Sequence, residues 1–141
     1  MLEVSCGIIL FEYKNNEPYF LLIKDYNGNY GFPKGHIEKG ESELVTAFRE
    51  TLEETSIIPK LIDGFRAETT YKMPNGNQKR VVYFLGNFEN QIPKQNEDFE
   101  KFDFLILPYQ KAYEILSFEN TKQLLLKANS FIKNNAFKNL K

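Results

Sequence analysis

From Val4 to Tyr13 the chain is rich in β-branched and aromatic residues, and after the polar stretch Lys14-Asn-Asn-Glu-Pro18 a second such run extends from Tyr19 to Asp25. Two apolar runs flanking turn residues predict a pair of strands. Between Gly31 and Gly40, three glycines and a proline interrupt every periodic pattern, so a structured loop is expected there. A helix follows, with Ser42 as its N-cap, Glu43 in the first turn, good helix formers to Glu54, and Pro59 closing the region. Leu61 to Lys72 and Lys79 to Phe88 read as strands, and Asn75-Gly76 between them signals a long hairpin with a basic end. Asn90 to Glu100 reads as a polar, acidic loop and Phe102 to Leu107 as a short strand. Pro108 can start a helix at its first position. A last helix from about Asn120 places Leu124, Leu125, Ala128, Phe131 and Ile132 on one stripe.

On a helical wheel, Leu44, Val45, Phe48, Leu52 and Thr55 fall on one side of the first helix, and Glu50, Glu53 and Glu54 on the other. This predicts a core face and a carboxylate face. Like charges at such spacing cost a helix about 0.2–0.5 kcal/mol per pair, and no lysine on that face offsets them. A divalent cation would turn the repulsion into coordination, and magnesium suits a few carboxylates shared with substrate phosphates. A merely solvated acidic face is the alternative. Arg49 lies beside this face, and an ion pair from it to Glu41 would lock the glycine loop against the helix.

With 141 residues the chain is expected to form one domain, residues 1–141. Eighteen Lys and Arg against nineteen Asp and Glu leave a formal charge of -1, which excludes a diffuse electrostatic grip on nucleic acid or anionic membrane. One cysteine, Cys6, and one histidine, His36, rule out an internal disulfide and a Cys/His zinc site. A reducing, cytoplasmic setting is expected. No apolar run has the length of a membrane span, and nothing in the chain calls for a protein partner. His-x-Glu at His36 and Glu38 lacks the downstream cysteine pair of a deaminase, and neither a Walker loop nor a Rossmann glycine fingerprint occurs.

Gly35, five residues, Glu41, seven residues, then Arg49-Glu50-Thr51-Leu52-Glu53-Glu54-Thr55-Ser56-Ile57 resembles the Nudix box. Two positions depart from it: Thr51 stands for an aliphatic residue, on the flank of the expected core face, and Ser56 for the glycine after the helix. A left-handed position there costs a non-glycine residue about 1–2 kcal/mol. The resemblance implies an α+β fold, the Nudix fold, with a mixed β-sheet sandwiched between α-helices, and hydrolysis of a nucleoside diphosphate linked to another moiety. It implies magnesium, with manganese as a substitute, held by Glu50, Glu53 and Glu54 with a main-chain carbonyl near Lys34 and Gly35. Glu53 or Glu50 would deprotonate or orient the attacking water, with Arg49 in the same catalytic set. An acid among Glu97, Asp98 and Glu100 is a further candidate ligand or base.

Shorter pieces elsewhere are similar to the asymmetrical bis(5'-nucleosyl)-tetraphosphatases. They are Cys6-Gly-Ile-Ile-Leu-Phe11, Phe32-Pro-Lys-Gly-His-Ile-Glu38, Gly64-Phe-Arg66 leading to Tyr71, Val81-Val-Tyr-Phe-Leu85, and Phe102-Asp-Phe-Leu105 before two helices. That likeness implies a nucleotide substrate with Lys34 and His36 beside its polyphosphate, Tyr71 stacking on or orienting the nucleotide, and Lys79 reaching distal phosphates. The plain alternatives are an exposed His36, a packed Tyr71 and a Lys79 that guards a sheet edge. Tyr83 is expected in the core. Rival functions are hydrolysis of a nucleoside triphosphate, removal of pyrophosphate from an RNA 5' end, and binding of a nucleotide without cleavage.

Overall fold

Strand β1 (Leu2–Lys14) is apolar on both sides and lies inside the sheet. Its alternate side chains serve opposite faces: Ile9 and Phe11 join one buried cluster, and Cys6, Ile8 and Leu10 the other. The computed structural model describes residues 1–96 and 103–139. β1 turns at Asn15 and Asn16, both left-handed with φ of 53° and 65°, into antiparallel β2 (Glu17–Lys24). Asparagine tolerates this region better than other side chains.

The Gly31–Gly40 stretch departs from the expected loop. It carries β3 (Tyr30–Gly31), paired with β2, and β4 (Lys34–His36), paired antiparallel with Ser5, Cys6 and Gly7 of β1. A Cβ on Gly7 would run into the Pro33 carbonyl and the Lys34 side chain, so this strand exists because its partner position is bare. Helix α1 (Glu43–Thr55) follows. The strand expected from Leu61 to Lys72 is divided into β5 (Lys60–Leu61) and β6 (Ala67–Lys72), because the chain turns at Gly64 with φ +93°. β6 and β7 (Gln78–Asn87) form the hairpin signalled by Asn75-Gly76, with Tyr71 opposite Lys79. β7 also runs parallel to β1, placing Lys79 beside Glu3, and this makes the sheet mixed. β8 (Asp103–Pro108) pairs with β2. Pro108 is the N-cap of α2 (Tyr109–Ile115), one position before its expected place, and α3 (Glu119–Asn139) ends the described chain.

Helices α2 and α3 bury Ala112, Leu116, Leu124, Leu125, Ala128 and Ile132 with one face of the sheet, and α1 buries Ala47 with the other. The sheet is therefore sandwiched between helices. No helix among the described residues is long and apolar enough to cross a membrane.

The orientation of α1 corrects the wheel. Val45 and Leu52 are exposed, whereas Thr46, Ala47, Thr51 and Thr55 are buried, so Thr51 lies within the core face. Packing against β4 draws the acidic border of the helix inward. Small residues let α1 approach the sheet, Val45 and Leu52 are turned outward, and Phe48 packs partly buried against the second cluster as the wheel expects.

Candidate active site

Helix α1 begins where Ser42 Oγ accepts the Val45 amide at 3.1 Å, as expected of an N-cap. Glu43 in its first turn is bound by Arg66 at 3.0 Å and takes no part in the acidic face. At the other end Ser56 is left-handed, φ 62° and ψ 18°, with its amide bonded to the Leu52 carbonyl. The Lys94 amide meets the Thr55 carbonyl at 2.8 Å, and the Ser56 hydroxyl donates to the Lys94 carbonyl at 3.2 Å. These contacts hold the helix exit in the glycine conformation despite the serine.

Arg49 organises the acids. Its Nε donates to Glu41 at 2.6 Å, Nη2 to the other oxygen of Glu41 at 2.9 Å and to the His36 carbonyl at 3.0 Å. Nη1 donates to Glu50 at 2.9 Å and reaches Glu53 at 3.4 Å. The repulsion expected along the carboxylate face is thus offset by this guanidinium, although no lysine lies there. Bidentate pairing of this kind is stronger than a simple surface ion pair. The hydrogen bond from Arg49 holds the Glu41 carboxyl down at about 2. Burial pushes the Glu50 carboxyl above its ordinary range, with the Arg49 bond opposing it and the Glu53 charge adding to it.

Glu50 lies against bare backbone: a Cβ on Gly35 would run into its carboxyl group. Glu54 accepts the Lys34 amide at 3.1 Å, so β4 and the acidic border of α1 meet along one seam. These hard oxygen donors fit a divalent cation such as magnesium. Among the described residues no three acids already form a cage, and magnesium needs none, because it keeps several waters and shares its shell with substrate phosphates. Glu97, Asp98 and Glu100 lie outside the described residues.

A basic wall faces this seam. Lys79 is only 5% exposed, and its Nζ lies 2.9 Å from His36 Nε2, within hydrogen-bond distance. Burial, and after it the charge of Lys34, lowers the Lys79 ammonium below its ordinary pKa, and Glu3 opposes the shift. Glu3 lies 3.6 Å from His36 and accepts Asn77 Nδ2 at 3.0 Å. Lys79 sits inside the sheet rather than at an edge. Tyr71 is 41% exposed, and burial of its hydroxyl followed by the Glu3 charge raises its pKa.

Two adjoining clefts open above these residues, about 390 and 750 Å³, and share Lys34, Tyr83, Phe118 and Thr121. The smaller is lined by Tyr71, Thr69 and Val81 as well, and the larger by His36, Glu54 and the Asp25–Tyr30 loop. The structure thus gathers Lys34, Gly35, His36, Arg49, Glu50, Glu53 and Glu54, with Tyr71 and Lys79 on the facing hairpin. Phe118 and Thr121 escaped the sequence reading. Phe118 is a half-exposed aromatic just before α3, seven residues before Leu125 and in line with the apolar stripe, so periodicity marked it only for packing.

A mixed sheet between helices, with a glycine-apposed acidic helix beneath a basic hairpin, defines a class that comparison with known proteins identifies. The chain belongs to the NUDIX family, whose domain matches residues 1–128. It is similar to the asymmetrical bis(5'-nucleosyl)-tetraphosphatase of Sus scrofa, 32% identical over 139 residues that cover 91% of this chain and 94% of the relative. The protein of that name from Mus musculus is 30% identical over the same shares. In three dimensions it resembles the crystal structure of a C. elegans Ap4A hydrolase binary complex, with TM-score 0.85, 22% identity, and coverage of 94% of this chain and 98% of that one.

Proposed function

We propose that this Nudix hydrolase cleaves dinucleoside polyphosphates, and diadenosine tetraphosphate asymmetrically to ATP and AMP. The observation that carries this reading is the seam where the α1 acids meet Lys34 and His36, backed by buried Lys79, with Glu54, Lys34 and His36 lining the larger cleft. Similarity to full-length relatives named for that activity supports the choice of substrate.

Glu50, Glu53 and Glu54, with a main-chain carbonyl near Lys34 and Gly35, would hold magnesium, for which manganese would substitute. When bound, the ion supplies charge neutralisation at the phosphates and a more acidic attacking water. Water attacks an outer phosphorus, one carboxylate of the pair Glu50 and Glu53 takes its proton, and the bond from that phosphorus to the bridging oxygen breaks, so that AMP carries the new oxygen and ATP leaves. Arg49 keeps that pair oriented. Lys34 and Lys79 neutralise charge on the phosphates by charge-assisted hydrogen bonds, and His36 steadies Lys79 while its ring edge faces the chain of phosphates. Tyr71 stacks on the nucleoside. The activity belongs to one domain, residues 1–141, in the cytoplasm, with no membrane or protein partner required.

Initial rates with magnesium on diadenosine tetraphosphate, a nucleoside triphosphate and 5'-triphosphorylated RNA test the assignment. The dinucleotide is expected to be turned over fastest. A faster triphosphate or RNA reaction would move the assignment to those substrates, and nucleotide binding with no product would make the chain a binding module.

A further inference from the structure

Tyr83 is 1% exposed, and its hydroxyl is buried without a hydrogen-bond partner. The ring is wedged edge-on against Phe32, with centroids 5.5 Å apart, and lies beside Gly7 of β1, where a Cβ would crowd it. A buried phenol that lacks a partner loses its hydration with nothing in return, so native proteins rarely keep one where phenylalanine would pack as well. The place of this one is informative. Tyr83 lies where the two clefts meet, among Lys34, Phe118 and Thr121.

We propose that Tyr83 is a further substrate-binding residue, whose hydroxyl donates a hydrogen bond to a phosphate oxygen of the bound nucleotide, directly or through one water which that oxygen orders. The inference rests on the nucleotide reading above and extends it to a residue that the sequence assigns to the core. Burial, with the nearby Tyr71 and Glu54 adding to it, pushes the phenol far above its ordinary pKa, so the group keeps its proton at neutral pH and acts as donor. The hydroxyl has no water-accessible surface in this structure, so it meets a phosphate oxygen or its water only when the side chains that cover it shift as the cleft fills. Lys34 supplies charge at the junction, and Tyr83 supplies direction.

Tyr83→Phe removes one oxygen and leaves the packing. Its thermal midpoint, its Kd for ATP by calorimetry with magnesium, and its KM and kcat on diadenosine tetraphosphate are the readouts. The expected result is a midpoint at or above that of the wild type, Kd and KM raised about tenfold, and kcat within threefold, in keeping with loss of one hydrogen bond to an anion. Unchanged Kd and KM would overturn the proposal. A clearly lowered midpoint would also overturn it, by showing that the hydroxyl has a partner in the empty protein. Calorimetry separates this inference from the function: a wild type that binds ATP without cleaving the dinucleotide would refute only the substrate assignment. Wild-type protein that binds no ATP would overturn the role of Tyr83 as well.

Discussion

The two walls of the cleft are built on opposite principles. On the acidic wall, one guanidinium satisfies Glu41, Glu50 and Glu53 together and ties them to the His36 carbonyl, so order there comes from hydrogen bonds around a single cation. On the basic wall, Lys79 is buried in the sheet, and among the described contacts its ammonium has one hydrogen-bond partner, His36. Order there comes from packing. The acids can bear repulsion because Arg49 cancels it, whereas the lysines stay apart and partly desolvated, ready for an anion. Substitutions in the first wall should therefore disturb stability and turnover together, and those in the second should act mainly on substrate binding.

The largest effect is expected at Glu54, which joins α1 to the Lys34 amide and belongs to the proposed metal set. Glu54→Gln keeps the shape and removes the charge, and should lower kcat by about a hundredfold or more while circular dichroism shows an intact fold. An active variant would move the metal site elsewhere. Next comes Arg49→Lys, which keeps the charge but not the fork. It should cost about 1–3 kcal/mol of stability in denaturant titration and lower kcat as well. A variant as stable as the parent would show that the acids are ordered by other means.

Lys79→Met sharpens the contrast. Replacing a buried ammonium by an apolar chain of similar length should leave the thermal midpoint unchanged or raise it. The KM should rise about tenfold from loss of a charged contact. A large fall in stability without a change in KM would assign Lys79 to the scaffold.

The smallest effect concerns acid. In the folded protein Glu41 is held at about 2, against an ordinary value of 4.5, so it binds protons more weakly folded than unfolded. Its contribution to stability is present above about pH 4.5 and is lost as the pH falls toward 2. The stability difference between the parent and Glu41→Gln should therefore be constant near neutrality and shrink across that window. A difference independent of pH would mean that the Arg49 pairing does not set the Glu41 proton.

Much of the acidic wall was legible in the sequence, because its spacing lies within one loop and one helix. Ser42 and the Glu41 to Arg49 pair follow from local rules and are found, whereas Ser56 adopts the left-handed turn that local rules count against a serine. The rotation of α1 was not legible. Hydrophobicity places Leu44, Val45, Phe48 and Leu52 inward, and Phe48 does pack on the core, but close approach to Gly35 and β1 favours Ala47 and threonines and leaves Val45 and Leu52 outside, a requirement set by the partner rather than by the helix. β4 was hidden for the same reason, since the position that permits it is Gly7, far away in the chain. The basic wall depends on the parallel pairing of β1 with β7, which brings Glu3 beside Lys79, and no local pattern encodes that neighbour. The cleft residues Phe118 and Tyr83 come from the far helical layer and the sheet centre, where periodicity speaks only of packing.

The measurement that tests the account most directly is chromatography of the products formed from diadenosine tetraphosphate and magnesium. Acidic and basic walls meeting beside the larger cleft and acting on an outer phosphate predict equal amounts of ATP and AMP. Two molecules of ADP, or no product, would contradict it.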